Sequence, residues 1–144
     1  MTPPARLHGP LRLEEVLDAN GKTAMRGGRP VWRLLEPLEF RLFGLNSAYR
    51  LTVPAGFETD LASVPWFVRG IIPASGPWQR AAIVHDWLYA TKGTFFHEHY
   101  PCRRARLCSD YAFFVAMQAA DVPNVICYLM WKAVRLFGWT GWGR

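Results

Sequence analysis

The sequence predicts an α+β fold in which a small N-terminal antiparallel β-sheet or meander precedes three C-terminal helices, the first two antiparallel. Two changes in hydrophobic periodicity support this prediction. Between residues 30 and 60, apolar and polar residues alternate over short runs separated by turn residues, as in half-buried strands. After Gly76 the period lengthens to that of helices, which are predicted to end near Gly93, Ala120 and Gly138.

The elements follow in order along a predicted single domain of residues 1–144. The first 29 residues are rich in Pro, Gly and Arg and are expected to be irregular, with a strand or one helical turn at Leu11–Leu17. Mainly strands are expected over 30–60, in the runs Val31–Leu35, Leu38–Leu42 and Tyr49–Val53. Residues 61–138 are expected to be mainly helical, with helices over about 77–91, 103–120 and 123–137, and residues 139–144 to form an irregular tail.

The composition is that of a globular protein, with 51% hydrophobic and 19% charged residues among 144. The net charge of +6 comes from basic residues scattered along the chain, and the one tight cluster is Arg103–Arg106. No nucleic-acid-binding module surrounds this cluster, so we interpret it as a solvated helix start and expect no nucleic-acid partner. Seven Trp in so short a chain indicate that some rings face a partner, a lipid or a neighbouring subunit.

The cysteines and the apolar segments bear on the compartment. Cys102, Cys108 and Cys127 are odd in number and irregularly spaced, which does not indicate a disulfide framework and favours a reducing compartment. The first residues lack the apolar core of a signal peptide, and the longest apolar stretch, Val122–Phe137, contains two basic residues. We therefore expect a soluble protein without a transmembrane segment, of unknown oligomeric state.

The first two predicted helices each carry a titratable residue inside an apolar stripe. Residues at helical spacing share one face of the first helix, namely Trp78, Ala82, His85 and Tyr89. The second helix has a similar stripe of Leu107, Asp110, Phe114 and Met117. A lone buried carboxylate costs several kcal/mol unless it is paired. We therefore predict that the two stripes face each other and that Asp110 accepts a hydrogen bond from His85.

Such a pair can serve catalysis or structure. A carboxylate on one ring nitrogen fixes the imidazole tautomer and leaves the other nitrogen to take a proton from water. Asp86 lies about 100° around the helix from His85 and could hold a divalent cation. Calcium is favoured over zinc, because calcium prefers oxygen ligands. In the loop Thr59–Ser63, Asp60 could reach the same site, whereas a turn or helix cap made by Asp60 and Ser63 is the alternative. The alternative for the His–Asp pair is that it only satisfies buried polarity.

Two further patterns have structural and functional interpretations. His97, His99, Cys102 and Cys108 are four potential zinc ligands, but their spacing matches no standard zinc site, and exposed loop histidines are the alternative. The third predicted helix has the periodicity of a core helix. Together with Trp139 and Trp142 it could also present an aromatic docking surface.

Two strings carry a resemblance to a known family. Pro54–Pro65, PAGFETDLASVP, and Ala81–Tyr89, AAIVHDWLY, closely resemble a phage and prophage family known only as domain of unknown function 1353. The resemblance runs from about Leu51 to Phe137. It implies a phage or prophage origin, a place in the host cytoplasm or the phage virion, and partners among other phage structural proteins or host envelope components. It implies no activity.

A second resemblance concerns the predicted site. His-Asp-x-x-Tyr on one helix, with an Asp on an antiparallel helix, resembles the catalytic core of phospholipase A2, especially its compact form in parvovirus capsid proteins. This resemblance implies that His85 is the base, Asp110 its orienting partner, Asp86 a calcium ligand and Tyr89 a support. The Gly-rich calcium loop of that family has no counterpart here, and Ile72–Pro77 occupies its place.

Three functional hypotheses follow from these observations. The leading one is a phage-encoded accessory protein with a His/Asp hydrolase-like site that acts on an ester or amide in lipid or cell wall. The second is a non-enzymatic virion component, such as a tail or baseplate adaptor, in which the His–Asp pair is structural. The third is a host-interaction or anti-defence protein.

Overall fold

The computed structural model describes residues 6–8, 11–42, 49–61, 78–98 and 102–142. Within these ranges the strands come first and the helices last, which confirms the predicted α+β class. Several predicted features lie outside the described residues, namely Ser63, the segment 72–77, the side chain of His97, and His99.

Short antiparallel strands make up the first part of the described chain. They are β1 (Arg6–His8), β2 (Leu13–Glu15), β3 (Met25–Arg26), β4 (Arg29–Pro30), β5 (Trp32–Leu34), β6 (Leu38–Arg41), β7 (Arg50–Val53) and β8 (Glu58–Thr59). They form two three-stranded sheets of order β1-β6-β7 and β2-β5-β8, and the hairpin β3-β4. The N-terminal region, expected to be irregular apart from Leu11–Leu17, therefore also contains β1 and the hairpin β3-β4, which the sequence analysis did not predict. Strand β1 is only three residues long, too short for periodicity to reveal, and it forms by pairing with the distant β6, as β2 does with β5.

The described helices are α1 (Trp78–Ala90), α2 (Thr94–Glu98), α3 (Ala105–Ala119), α4 (Asn124–Phe137) and α5 (Trp139–Trp142). Three of them, α1, α3 and α4, are the predicted helices. The other two correct the sequence analysis, which expected a loop and an irregular tail. Both short helices are anchored by tertiary contacts: Phe96 of α2 is buried in the core, and Trp142 of α5 packs edge-on against Tyr89.

A close approach fixes the antiparallel arrangement of α1 and α3. Gly93 follows α1, adopts φ +68°, and donates its backbone N–H to the carbonyl of Leu88 at 2.8 Å, a helix ending that glycine favours. A β-carbon at Gly93 would lie 2.7 Å from the β-carbon of Ala105, the first residue of α3. The end of α1 and the start of α3 are therefore adjacent, and α3 runs back along α1.

Helix α1 lies in the core, between a sheet and α3. The alternating residues Leu38 and Phe40 of β6 and Leu51 and Val53 of β7 are buried, and both strands contact α1. On α1 itself, every residue from Ala81 to His85 is buried. A polar side chain on α1 that points away from solvent therefore needs a partner from another element.

The cysteine expectation is wrong for one pair. A disulfide joins Cys102, before α3, to Cys108 in the second turn of that helix, while Cys127 is a free, buried thiol. Cysteine count and spacing could not predict this bond, because it depends on how the start of α3 folds back on the preceding residues. Across the described part of the chain, no helix combines the length and apolar composition that crossing a membrane requires.

Candidate functional site

His85 of α1 and Asp110 of α3 meet as the two apolar stripes predicted. Nε2 of His85 lies 2.7 Å from Oδ1 of Asp110, and the exposed fractions of the two side chains are 2% and 0%. An ionised carboxylate only accepts hydrogen bonds, so Nε2 is the ring nitrogen that donates in this pair. This is the contact that the predicted His–Asp pair requires, whether the pair serves catalysis or structure.

Tyr89 completes the predicted trio. One turn after His85, its hydroxyl donates to the same Oδ1 of Asp110 at 2.6 Å. Burial, together with this hydrogen bond to Asp110, holds the pKa of the Tyr89 phenol well above its usual range, so the hydroxyl remains a donor. The ring fits closely against the turn after α4, since a β-carbon at Gly138 would collide with the Tyr89 hydroxyl.

One arginine that the sequence analysis missed binds the other oxygen of Asp110, and a second lies close to it. Arg135 of α4 donates from Nη1 to Oδ2 at 2.7 Å, and Nε of Arg106 lies 4.0 Å from the same atom. Arg106 also donates from Nη2 to the backbone carbonyls of Val134 and Arg135, at 3.1 and 2.8 Å. A signal for Arg135 was present in the sequence, because a charged residue inside an otherwise apolar helix needs a buried counterion or an exposed face.

The ring of His85 is enclosed by aromatic side chains. Its centroid lies 4.2 Å from that of Tyr89 and 4.7 Å from that of Phe113. Phe113 takes the position against His85 that the predicted stripe assigned to Phe114, which is only half-buried. The predicted stripe was therefore wrong by one residue at this point. The buried face of α3 is wider than the four predicted stripe residues, and it includes Phe113.

Asp86 and Thr59 connect the helix to the sheet. The Thr59 hydroxyl donates to Oδ2 of Asp86 and accepts the backbone N–H of Leu61 at 3.0 Å. In the described part of this loop, the side chain that closes a turn by accepting a backbone N–H is therefore that of Thr59. Oδ2 of Asp60, the other predicted cation ligand, lies 3.8 Å from Nε of Arg29, and its side chain is only 12% exposed.

The donor set at Asp86 and Asp60 bears on the predicted cation. Carboxylate oxygens suit calcium, but Asp86 accepts from Thr59 and Asp60 pairs with Arg29. Within the described ranges, no group of three or more His, Cys, Asp or Glu residues is arranged to hold a metal ion. A calcium ion held by Asp86 and Asp60 therefore stays a prediction of the sequence.

The zinc alternative loses two of its four ligands. Cys102 and Cys108 are joined in the disulfide, so neither offers a thiolate. The other two, His97 and His99, have side chains outside the described part of the structure.

Comparison with known proteins places this α+β chain in a family of unknown function. A family model described as "Protein of unknown function (DUF1353)" matches residues 32–134, which is more than half of the chain. The chain belongs to this family. The match begins at the first residue of β5 and includes β6 as well as the site on α1 and α3. No curated protein and no solved structure matches the chain.

Proposed function

We propose that this protein is a phage-encoded accessory hydrolase in which His85 takes a proton from a water molecule that attacks an ester or amide carbonyl in lipid or cell wall. The observation that supports the proposal is the 2.7 Å hydrogen bond from Nε2 of His85 to the buried Asp110, reinforced by Tyr89. A carboxylate in this position holds the imidazole ring and prepares Nδ1 to accept a proton. A phospholipid ester is the first substrate to test, since the His85, Asp86 and Tyr89 spacing resembles phospholipase A2.

The reaction balances without a further reactant. The water oxygen bonds to the carbonyl carbon while Nδ1 of His85 takes the proton. The bond from that carbon to the leaving oxygen or nitrogen then breaks, and the proton passes to the leaving group. Asp110 and Tyr89 act as positioning residues behind the ring. Because His85 is only 2% exposed, substrate binding must uncover the imidazole, so the accessibility of His85 is a second measurable consequence.

The test compares wild type with His85→Gln and with a control at the exposed Arg12, Arg12→Gln. The substrates are phosphatidylglycerol vesicles, assayed for released fatty acid, and purified peptidoglycan, assayed for soluble fragments. We expect His85→Gln to lose about 100-fold or more of the hydrolysis while its circular dichroism spectrum remains that of wild type. The control keeps full activity. If the wild-type protein releases nothing from either substrate, the proposal of an enzyme is wrong.

Access to the imidazole is measured separately. Diethyl pyrocarbonate modifies histidines that solvent can reach, and peptide mass spectrometry identifies each modified residue. We expect little modification of His85 in the free protein and increased modification when vesicles are present. His85→Gln serves as the control for assigning the modified peptide. Equal protection with and without either substrate contradicts a catalytic role.

A second candidate function is a non-enzymatic virion component, such as a tail or baseplate adaptor. Two observations favour it. The Arg135 guanidinium neutralises Asp110, so the network can work as a clasp that joins α1, α3 and α4. Helix α4 also exposes apolar side chains, among them Val125, Tyr128 and Leu136. Mass spectrometry of purified particles, together with plaque counts for His85→Gln, distinguishes the two functions. Particle-bound protein and normal plaque formation would support the adaptor, whereas absence from particles would exclude it.

A further inference from the structure

A basic cleft, which shares Arg106 and Arg135 with the surroundings of Asp110 but does not include His85, lies where the end of α1, the start of α3, α4 and α5 meet. Its volume is about 540 Å³, which is within the range of small-molecule binding sites. The residues that line it and carry the argument are Lys92, Arg103, Arg104, Arg106, Arg135 and Trp142. None of the described residues that line it is acidic.

The charge of the cleft is poorly compensated. Five cationic side chains line it, and the carboxylate that two of them reach, Asp110, is fully buried behind them. Arg103 and Arg104 are exposed and make no salt bridge with any residue of the described chain. Gathering like charges around a concave surface is unfavourable unless an anion enters, and it produces a positive potential that attracts one.

The backbone that carries three of the arginines is restrained before any ligand arrives. The Cys102–Cys108 disulfide encloses Arg103, Arg104 and Arg106 in a short covalent loop. In the same cleft, Nζ of Lys92 donates to the carbonyl of Trp142 at 2.9 Å. Prior ordering of these groups reduces the entropy that a ligand must overcome on binding. The positive end of the α3 dipole has the same sign as the side chains around it.

We propose that this cleft binds the phosphate group of a small phosphate ester. Guanidinium groups match phosphate oxygens in charge and in the geometry of two parallel hydrogen bonds. The volume leaves room beside the phosphate for an organic group, which Trp142 would contact. A nucleic-acid duplex is disfavoured, because its phosphates require an extended basic surface, whereas these cations converge on one concavity. The phosphate can belong to a soluble metabolite or to a lipid head group.

Calorimetric titration at low salt tests the proposal with two phosphate esters, adenosine 5′-monophosphate and glycerol 3-phosphate. We compare wild type, Arg103→Gln/Arg104→Gln, and a control double variant, Arg12→Gln/Arg50→Gln, that removes two exposed charges elsewhere. The expected result is binding to wild type and control, and at least about tenfold weaker binding to the cleft variant. Equal binding by all three proteins, or equal weakening in both double variants, overturns the proposal.

Two further arms identify the source of the phosphate and the role of the disulfide. Flotation with phosphatidylglycerol vesicles that depends on Arg103 and Arg104 assigns a lipid head group, whereas binding of the free esters alone assigns a soluble ligand. Tight binding of a DNA duplex without binding of either ester contradicts the proposal. Cys102→Ser/Cys108→Ser should weaken ester binding several-fold while the protein remains folded by circular dichroism. These measurements follow binding alone, so their outcome is independent of the proposed hydrolysis.

Discussion

Arg135 donates a 2.7 Å hydrogen bond from Nη1 to Oδ2 of Asp110, on the carboxylate whose other oxygen lies 2.7 Å from Nε2 of His85. The Asp110 side chain therefore connects α4, α3 and α1. Asp110 is fully buried, whereas the Arg135 side chain is 29% exposed. Without its donors the Asp110 carboxylate would be a buried unpaired charge, whereas the Arg135 guanidinium could still be hydrated by solvent.

We expect Asp110→Ala to lower the free energy of unfolding by about 3–5 kcal/mol, because His85, Tyr89 and Arg135 all lose their acceptor in a buried site. Urea denaturation measures the change. Asp110→Asn should cost less, since the amide preserves the volume and one acceptor oxygen. The control is Glu36→Ala, which removes the exposed partner of Arg12 and should cost about 0–1 kcal/mol. Equal losses in the free energy of unfolding for Asp110→Ala and Glu36→Ala would contradict the role of Asp110 in holding α1, α3 and α4 together.

The Tyr89 phenol should make stability depend on pH in the alkaline range. Burial and Asp110 raise its pKa in the folded protein above the ordinary value of 10.0. Its contribution to stability is therefore complete below that value. It is lost progressively as the pH rises further, because the unfolded chain releases the proton first. Urea denaturation at about pH 8 and about pH 10.5 should show a smaller loss of stability for Tyr89→Phe than for wild type. The exposed Tyr111→Phe is the control, and an equal loss in all three proteins would refute the prediction.

Gly138 and Gly141 form a matched pair around the Tyr89 ring. A β-carbon at Gly138 would collide with the Val134 carbonyl oxygen and with the Tyr89 hydroxyl, whereas one at Gly141 would lie at an ordinary 3.5 Å from Cδ2 of the same ring. We expect Gly138→Ala to destabilise the fold by about 1–3 kcal/mol through overpacking. Gly141→Ala should be close to neutral, and thermal denaturation of both variants checks the difference. If Gly141→Ala is the more damaging of the two, the packing of Tyr89 is not as described.

The disulfide makes a direct chemical prediction. Thiol titration of the unfolded, unreduced chain should detect one thiol, Cys127, and titration after reduction should detect three. Cys127 itself should react slowly in the folded protein, because burial raises the pKa of its thiol and excludes the reagent. Three reactive thiols before reduction would exclude the Cys102–Cys108 bond.

The sequence by itself determined the class of the fold, the three main helices and the pairing of His85 with Asp110. The helices follow from hydrophobic periodicity. The pairing follows from desolvation, because a titratable residue buried in an apolar stripe is costly unless it is paired with another polar group. Leu11–Leu17 was left open as strand or helical turn, and β2 decides for the strand.

Only the tertiary structure decided which groups surround that pair. Arg135 reaches Asp110 because α4 crosses α3 at that level, and Phe113 rather than Phe114 packs on His85 because of the rotation of α3. Strands β1 and β2, the disulfide and the basic cleft likewise depend on contacts between segments distant in sequence or on the path of a turn. Local periodicity reports which face of an element is buried, but the partner on that face is chosen by the packing of whole elements against each other.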